Sequence, residues 1–168
     1  LGAGSRVNKS NIRPIRQIAK NAEKPAKFGR LFHRLVRRFQ PKIVLELGTS
    51  LGITTLYFAK ASETVKVTTF EGCPETARIA QENFQKIGAT NIDIVVGNID
   101  QTLRPVLEKM DGPLDLLYVD ANHRYEPTVR YFKECLPYVH NDSVMIFDDI
   151  YWSAEMTQAW EEIKNHPD

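Results

Sequence analysis

The chain has 168 residues, 42% hydrophobic and 26% charged, a balance that fits one soluble globular domain large enough to bury a real core. No apolar run approaches the roughly 18 residues of a membrane span, no apolar segment follows the basic start as in a signal peptide, and the two cysteines, Cys73 and Cys135, have neither disulfide nor metal-ligand spacing, so a reducing cytoplasm is the expected location. The net charge of +1 is unevenly spread: residues 1–42 hold 12 Lys and Arg against the single acid Glu23, and the remainder holds 10 against 20 Asp and Glu.

Residues 1–11 are polar and glycine-rich and read as a loop or arm. Ile12, Ile15, Ile18, Ala19 and Ala22 recur at helical spacing until Pro25 interrupts. Phe28, Leu31, Phe32, Leu35, Val36 and Phe39 then line one stripe, with Lys27, Arg30, Arg34, Arg37 and Arg38 on the other faces. That predicts an amphipathic helix packing its whole stripe on a core and ending at Gln40-Pro41. Its basic face reads as solvated, because no aromatic-rich or glycine-rich basic motif accompanies the charge. A non-catalytic nucleic-acid-binding module is the alternative that the charge asymmetry raises.

From Ile43 the pattern alternates. Strands are predicted at Ile43–Leu47, Val65–Phe70, Ile92–Val96, Leu114–Val119 and Val144–Phe147. Helices are predicted at Gly52–Ala61, from Pro74 to Gly88, from Asp100 as cap through Met110, at Glu126–Leu136, and at Ala154–Lys164 behind the cap Ser153. Such alternation argues a parallel sheet with helices on both faces, and apolar runs without strict alternation agree. Residues 1–40 form an N-terminal arm and helical segment, residues 41–168 the α/β core, in one domain overall. The chain starts without Met and stops just after a helix, leaving the fifth strand as an apolar edge. The expectation is a truncated or partly observed longer chain, or a partner chain over that edge.

In open α/β sheets, ligands bind beyond the carboxyl ends of the strands. The first end reads Glu46-Leu47-Gly48-Thr49-Ser50-Leu51-Gly52. Gly48 allows a sharp turn and close backbone approach, Gly52 allows tight packing as the helix begins, and Thr49 or Ser50 is placed to cap it. Glu46 sets a carboxylate where it would face a cation. A nicotinamide-dinucleotide site, the runner-up, wants G-x-G-x-x-G around a pyrophosphate; the spacing here is Gly48-x-x-x-Gly52, and an acid before it suits a sulfonium better. Glu71, 23 residues after Gly48, ends the second strand beside Gly72 and is placed to accept ribose hydroxyls. Gly97 and Asn98 end the third, where the Asn98 amide offers a donor and an acceptor to an adenine edge.

This ordered set resembles the class I S-adenosylmethionine-dependent methyltransferases, nearest to the catechol- and caffeoyl-coenzyme-A-type O-methyltransferases and their small-molecule relatives. The likeness runs from about Phe28 to Trp160. It implies a doubly wound, Rossmann-like, mostly parallel α/β sheet of order 3-2-1-4-5, with the last strands missing and N-terminal helices added. It implies S-adenosylmethionine as cofactor, held by Glu46, Gly48, Thr49, Ser50, Gly52, Glu71, Gly72, Asn98 and Asp120. In the metal-dependent members, an acid at the Asp120 position and an Asp-Asn pair at the Asp148-Asp149 position hold a divalent cation, and a Lys three residues after the first acid is the base. This chain departs from that pattern with Asp149 in place of Asn and His123 in place of Lys. Three carboxylates, Asp120, Asp148 and Asp149, suit Mg²⁺ or Mn²⁺, with His123 as the catalytic base. Tyr151 and Trp152 are placed either to stack on an acceptor or to pack in the core, and Cys73 reads as a filler rather than a nucleophile. The expected partner is a small-molecule methyl acceptor, with no membrane and no nucleic acid; a homodimer is compatible with this reading.

Overall fold

Strands rich in branched apolar residues need cover on both faces, and the chain supplies it with helices between successive strands. The computed structural model describes residues 14–22 and 24–167; the arm at residues 1–11 and Ile12 lie outside them. The strands are Ile43–Leu47 (β1), Lys66–Glu71 (β2), Ile92–Val96 (β3), Leu114–Val119 (β4) and Val139–Phe147 (β5). They form one parallel sheet in the order β3-β2-β1-β4-β5, as the sequence predicts. The helices are Ile15–Ala22 (α1), Ala26–Phe39 (α2), Ile53–Ala59 (α3), Pro74–Ile87 (α4), Ile99–Leu107 (α5), Tyr125–Cys135 (α6) and Ala154–Lys164 (α7).

Successive residues of each strand feed opposite faces. Val44, Val67, Leu116 and Tyr118 pack with Phe32 and Val36 of α2 and Phe58 of α3. Leu45, Leu47, Phe70, Leu117 and Val119 pack with Leu103 and Leu107 of α5 and Tyr131 and Cys135 of α6. Burial of the Cys135 thiol pushes its pKa up to about 12, which fits an inert core residue. Phe32, Phe58 and Tyr118 form an aromatic cluster with ring centroids 4.9–5.7 Å apart, the range of favourable edge and tilted pairs. This cluster anchors α2 to the sheet beneath the first strand ends.

Several local expectations need correction. The apolar stripe of α2 is only partly buried: Phe32 and Val36 are in the core and Leu35 is half-buried, but Phe28, Leu31 and Phe39 are 40–53% exposed. The contact line instead runs through Gly29, where a Cβ would lie 2.2 Å from the Tyr57 ring of α3. Two helices meeting at a glycine touch over a narrow strip, and the flanking apolar residues stay outside it. Asp100 does not cap α5. Asn98 does, its side-chain oxygen accepting from the Asp100 amide. Neither Thr49 nor Ser50 caps α3, whose N-cap is Gly52 in the left-handed region at φ +77°. β5 begins earlier than predicted: Val139 pairs with Leu114, the polar residues His140–Ser143 bulge out, and pairing resumes at Val144 opposite Leu116. The caps at Pro74, Gly88 and Ser153 fall where the sequence puts them. β5 and β3 are the sheet's two edges among the described residues.

Candidate active site

The sheet order reverses between β1 and β4, since the chain runs outward through β2 and β3 and then returns to β1's other side. That makes a crevice at their carboxyl ends. Gly48 leaves β1 at φ +109°, and a Cβ there would lie 2.2 Å from the Asp120 backbone oxygen. The turns after β1 and β4 therefore touch through backbone, which only glycine permits. Gly52 closes the same turn, where a Cβ would strike Phe84 of α4 at 2.3 Å, so its expected packing role holds.

The polar residues of this turn divide between floor and rim. Glu46 is fully buried; its Oε2 accepts from the Thr69 hydroxyl at 2.7 Å and from Thr55. Thr49 is also buried and pairs its hydroxyl with Thr69 at 2.7 Å. Both bind the turn to β2 and α3 from below, because their side chains share the inward face with those threonines. Ser50 lies on the rim at φ +50°, and its amide donates to Glu71 Oε2 at 2.9 Å. The other Glu71 oxygen accepts from the Cys73 amide at 2.9 Å. Two backbone donors thus fix the Glu71 carboxylate at the end of β2.

Glu71 opens on a small cleft of about 160 Å³ that is open to solvent. Gly48, Gly72, Gly97 and Asn98 line it, together with Phe70, Ile99, Ala121, Asn122 and Tyr131. The sequence reading missed the last five. Tyr131 reaches the cleft from α6, where its hydroxyl meets Asp100 at 2.7 Å and Asn122 at 3.2 Å, and its pKa is pushed up to about 12, mainly by burial. Arg130 holds the Asp100 carboxyl below its ordinary pKa through a 2.9 Å hydrogen bond.

Beside the cleft, the ends of β4 and β5 form an acidic mouth. His123 Nε2 lies 3.6 Å from Asp120 Oδ1 and 3.7 Å from Asp149 Oδ2. One ligating atom from each of these three residues lies within 4.8 Å of the others. Asp148 lies outside this trio and holds other partners. Its Oδ2 meets the Tyr118 hydroxyl at 2.6 Å and the Lys24 ammonium at 2.8 Å, while its Oδ1 accepts from the Asp149 amide at 2.7 Å. Lys24 also stands 3.5 Å from Asp120 Oδ2, and Tyr118 3.1 Å from it.

Burial raises the Asp120 carboxyl above its ordinary pKa; Lys24 opposes this and Asp148 adds to it. Burial also works to raise Asp148, but the hydrogen bonds from Lys24 and Tyr118 outweigh it and leave that carboxyl low. Lys24 itself is raised, because the surrounding acids outweigh its desolvation. Tyr118 lies two residues before Asp120 along the same chain direction, a period-two signal open to sequence reading. Lys24 lies between α1 and α2 and carries no such signal.

Ser50, Asn122, His123 and Asp149 all have φ between +37° and +68°. Each non-glycine residue in this region costs about 1–3 kcal/mol. These four lie at the carboxyl ends of β1, β4 and β5, whereas the remaining positive-φ non-glycine residue among the described ones, Gln40, caps α2.

Residues 45–150 match the methyltransferase-domain family. The chain belongs to that family. It is 31% identical over 143 residues to a catechol O-methyltransferase of Mycobacterium tuberculosis, covering 84% of this chain and 61% of that protein. It is 29% identical over 124 residues to a catechol O-methyltransferase of Niastella koreensis, covering 73% and 55%. The chain thus spans little more than half the length of these relatives. An O-methyltransferase from Bacillus cereus, solved in complex with SAH, shares the methyltransferase fold at a TM-score of 0.79 and 19% identity, over 91% of this chain and 79% of that one. Neither a dinucleotide oxidoreductase nor a nucleic-acid module finds support among these matches. No described helix is long and apolar enough to cross a membrane.

Proposed function

We propose that this methyltransferase-family chain binds S-adenosylmethionine in the cleft beyond β1 and β4 and transfers its methyl group to an oxygen of a small-molecule acceptor. The observation that carries the proposal is the convergence of the Gly48 turn, Glu71 and Gly97-Asn98 on one cleft that opens beside an acidic mouth. The cofactor, when bound, supplies an electrophilic methyl on a sulfonium. Gly48 admits it close to the backbone, and Glu71, already oriented by two amides, accepts from the ribose hydroxyls. Gly72, Asn98 and Ile99 flank the adenine, and Asp120 faces the methionine end. Glu46 and Thr49 position the turn from beneath it, and Gly52 seats it on α4. Alignment of acceptor and methyl in line is the chief catalytic task of such a site.

His123 stands at the mouth, where it can take the acceptor's proton. Asp120, Asp148 and Asp149 would hold a divalent cation of the Mg²⁺ or Mn²⁺ class, and the donor set fits: hard oxygen ligands at neighbouring strand ends, with the Lys24 ammonium standing in as a cation on two of them. Such an ion would polarise the acceptor hydroxyl. Titration with S-adenosylmethionine, NAD and an oligonucleotide tests the proposal: saturable binding of the first alone is expected, and binding of NAD or the oligonucleotide in its place would overturn it.

A further inference from the structure

Lys24 lies between α1 and α2, followed by Pro25 in an extended conformation and then by the first turn of α2, where the Phe28 amide donates to the Pro25 carbonyl at 2.9 Å. The backbone is therefore directed into α2 immediately after Lys24, and α2 is itself fixed to the core by Phe32 and Val36. From this fixed stem the side chain reaches across to the ends of β4 and β5. The side chain is only 20% exposed, and its ammonium meets Asp148 Oδ2 at 2.8 Å and Asp120 Oδ2 at 3.5 Å. The Tyr118 hydroxyl contacts the same two oxygens. The oxygens that Asp120 and Asp148 turn toward each other are thus held by a cation from the chain itself.

We propose that Lys24 is a tethered counter-ion that competes with a divalent cation for Asp120 and Asp148, so that loading the cation and releasing the Lys24 linker are a single exchange. The proposal rests on the cation site described under the proposed function. An ammonium and a divalent ion repel at this range, so a cation that takes Asp120 and Asp148 displaces Lys24 from them. The tether gives the ammonium a high effective concentration there, which weakens the apparent affinity of any free cation. Without a divalent ion, Lys24 relieves the repulsion between the two carboxylates. With one, Asp148 becomes a ligand and the segment leading into α2 loses its polar anchor at the mouth. His123, beside the other oxygen of Asp120, and Asp149 face the same mouth from the β4 and β5 loops. They would be present in either state.

The test is Mn²⁺ binding, read by electron paramagnetic resonance, on wild type, Lys24→Gln and Lys24→Arg. Lys24→Gln is expected to bind Mn²⁺ about ten-fold or more tightly than wild type, the scale of losing one charge-assisted competitor. Lys24→Arg, which keeps the charge, is expected to stay near wild type. Hydrogen exchange on the wild type needs no variant: Mn²⁺ is expected to speed exchange of the amides of Lys24 and residues 26–28. Equal affinity in all three proteins, no Mn²⁺ binding even by Lys24→Gln, or an exchange pattern indifferent to Mn²⁺ would each overturn the proposal. SAH titrated into the same samples separates the two levels of argument. Retained SAH binding with equal Mn²⁺ affinities sinks only the role of Lys24, whereas a wild type that binds no SAH sinks the proposed function.

Discussion

Gly48→Ala is a direct probe of the crevice. The substitution forces an L side chain to φ +109° and sets its Cβ 2.2 Å from the Asp120 backbone oxygen. The backbone strain alone is worth about 1–3 kcal/mol. Relief of the contact requires the turns after β1 and β4 to part by about an ångström, since van der Waals contact needs over 3 Å. That movement disturbs the hydrogen bond from the Asp120 amide to the Leu47 carbonyl, now 2.9 Å, worth about 1 kcal/mol. The expected destabilisation is about 2–4 kcal/mol, or roughly 4–16 °C in Tm for a chain of this size. Gly88→Ala is the control: Gly88 is also left-handed, at φ +64°, but a Cβ there meets nothing within 4 Å, so only about 1–2 kcal/mol is expected. Urea denaturation of both variants at constant slope measures the difference. Equal losses would show that the turns do not meet through backbone at Gly48 and would refute the crevice geometry.

In α2, Phe32→Ala should cost about 3–5 kcal/mol as a buried aromatic, Leu31→Ala well under that because Leu31 is 40% exposed, and Arg34→Ala and Arg37→Ala almost nothing. Tight, salt-sensitive oligonucleotide binding abolished by the Arg changes would contradict the solvated reading of that face. Asp100 has a folded pKa held below its unfolded value by Arg130, so its contribution is present above about pH 4 and is lost as pH falls through the lower folded value. Asp100→Asn should therefore flatten the acid limb of the stability–pH curve and leave its shape near neutrality unchanged; an unaltered acid limb counts against the Arg130–Asp100 pair. EDTA should abolish methyl transfer and Mg²⁺ or Mn²⁺ restore it, and His123→Ala should lower kcat more than it raises cofactor Kd. Full turnover in EDTA would leave the aspartates as substrate-orienting or structural acids.

The strand ends were legible because glycines and acids at the close of apolar runs have few other uses there: Gly48, Glu71, Gly97-Asn98 and Asp120 all fall at one end of the sheet in the order read from the chain. Parallel pairing follows from the alternation, and the strand order from the family likeness. What stayed hidden depends on partners distant in sequence. The α2 stripe was read too wide, because a helix pattern records which residues are apolar and not how narrow its contact is; Gly29 against Tyr57 decides that. Thr49 looked like a cap and is a buried partner of Thr69, 20 residues away. Asn98 looked like an adenine contact and also caps α5, which orients its amide on the cleft wall. The strand ends and the family likeness place Asp148 at the mouth, but not the partner of its carboxylate, Lys24, a residue 124 positions earlier that no motif connects to it.

The central claim is that Glu71 and the Gly48 turn form a cofactor site. Calorimetric titration of S-adenosylmethionine into wild type and folded Glu71→Ala tests it most directly. The account predicts one site per chain in the wild type and a loss of about 1–3 kcal/mol in the variant, the scale of hydrogen bonds to a charged group. Equal affinity in the two proteins would remove Glu71 from the site, and no binding by the wild type would contradict the account itself.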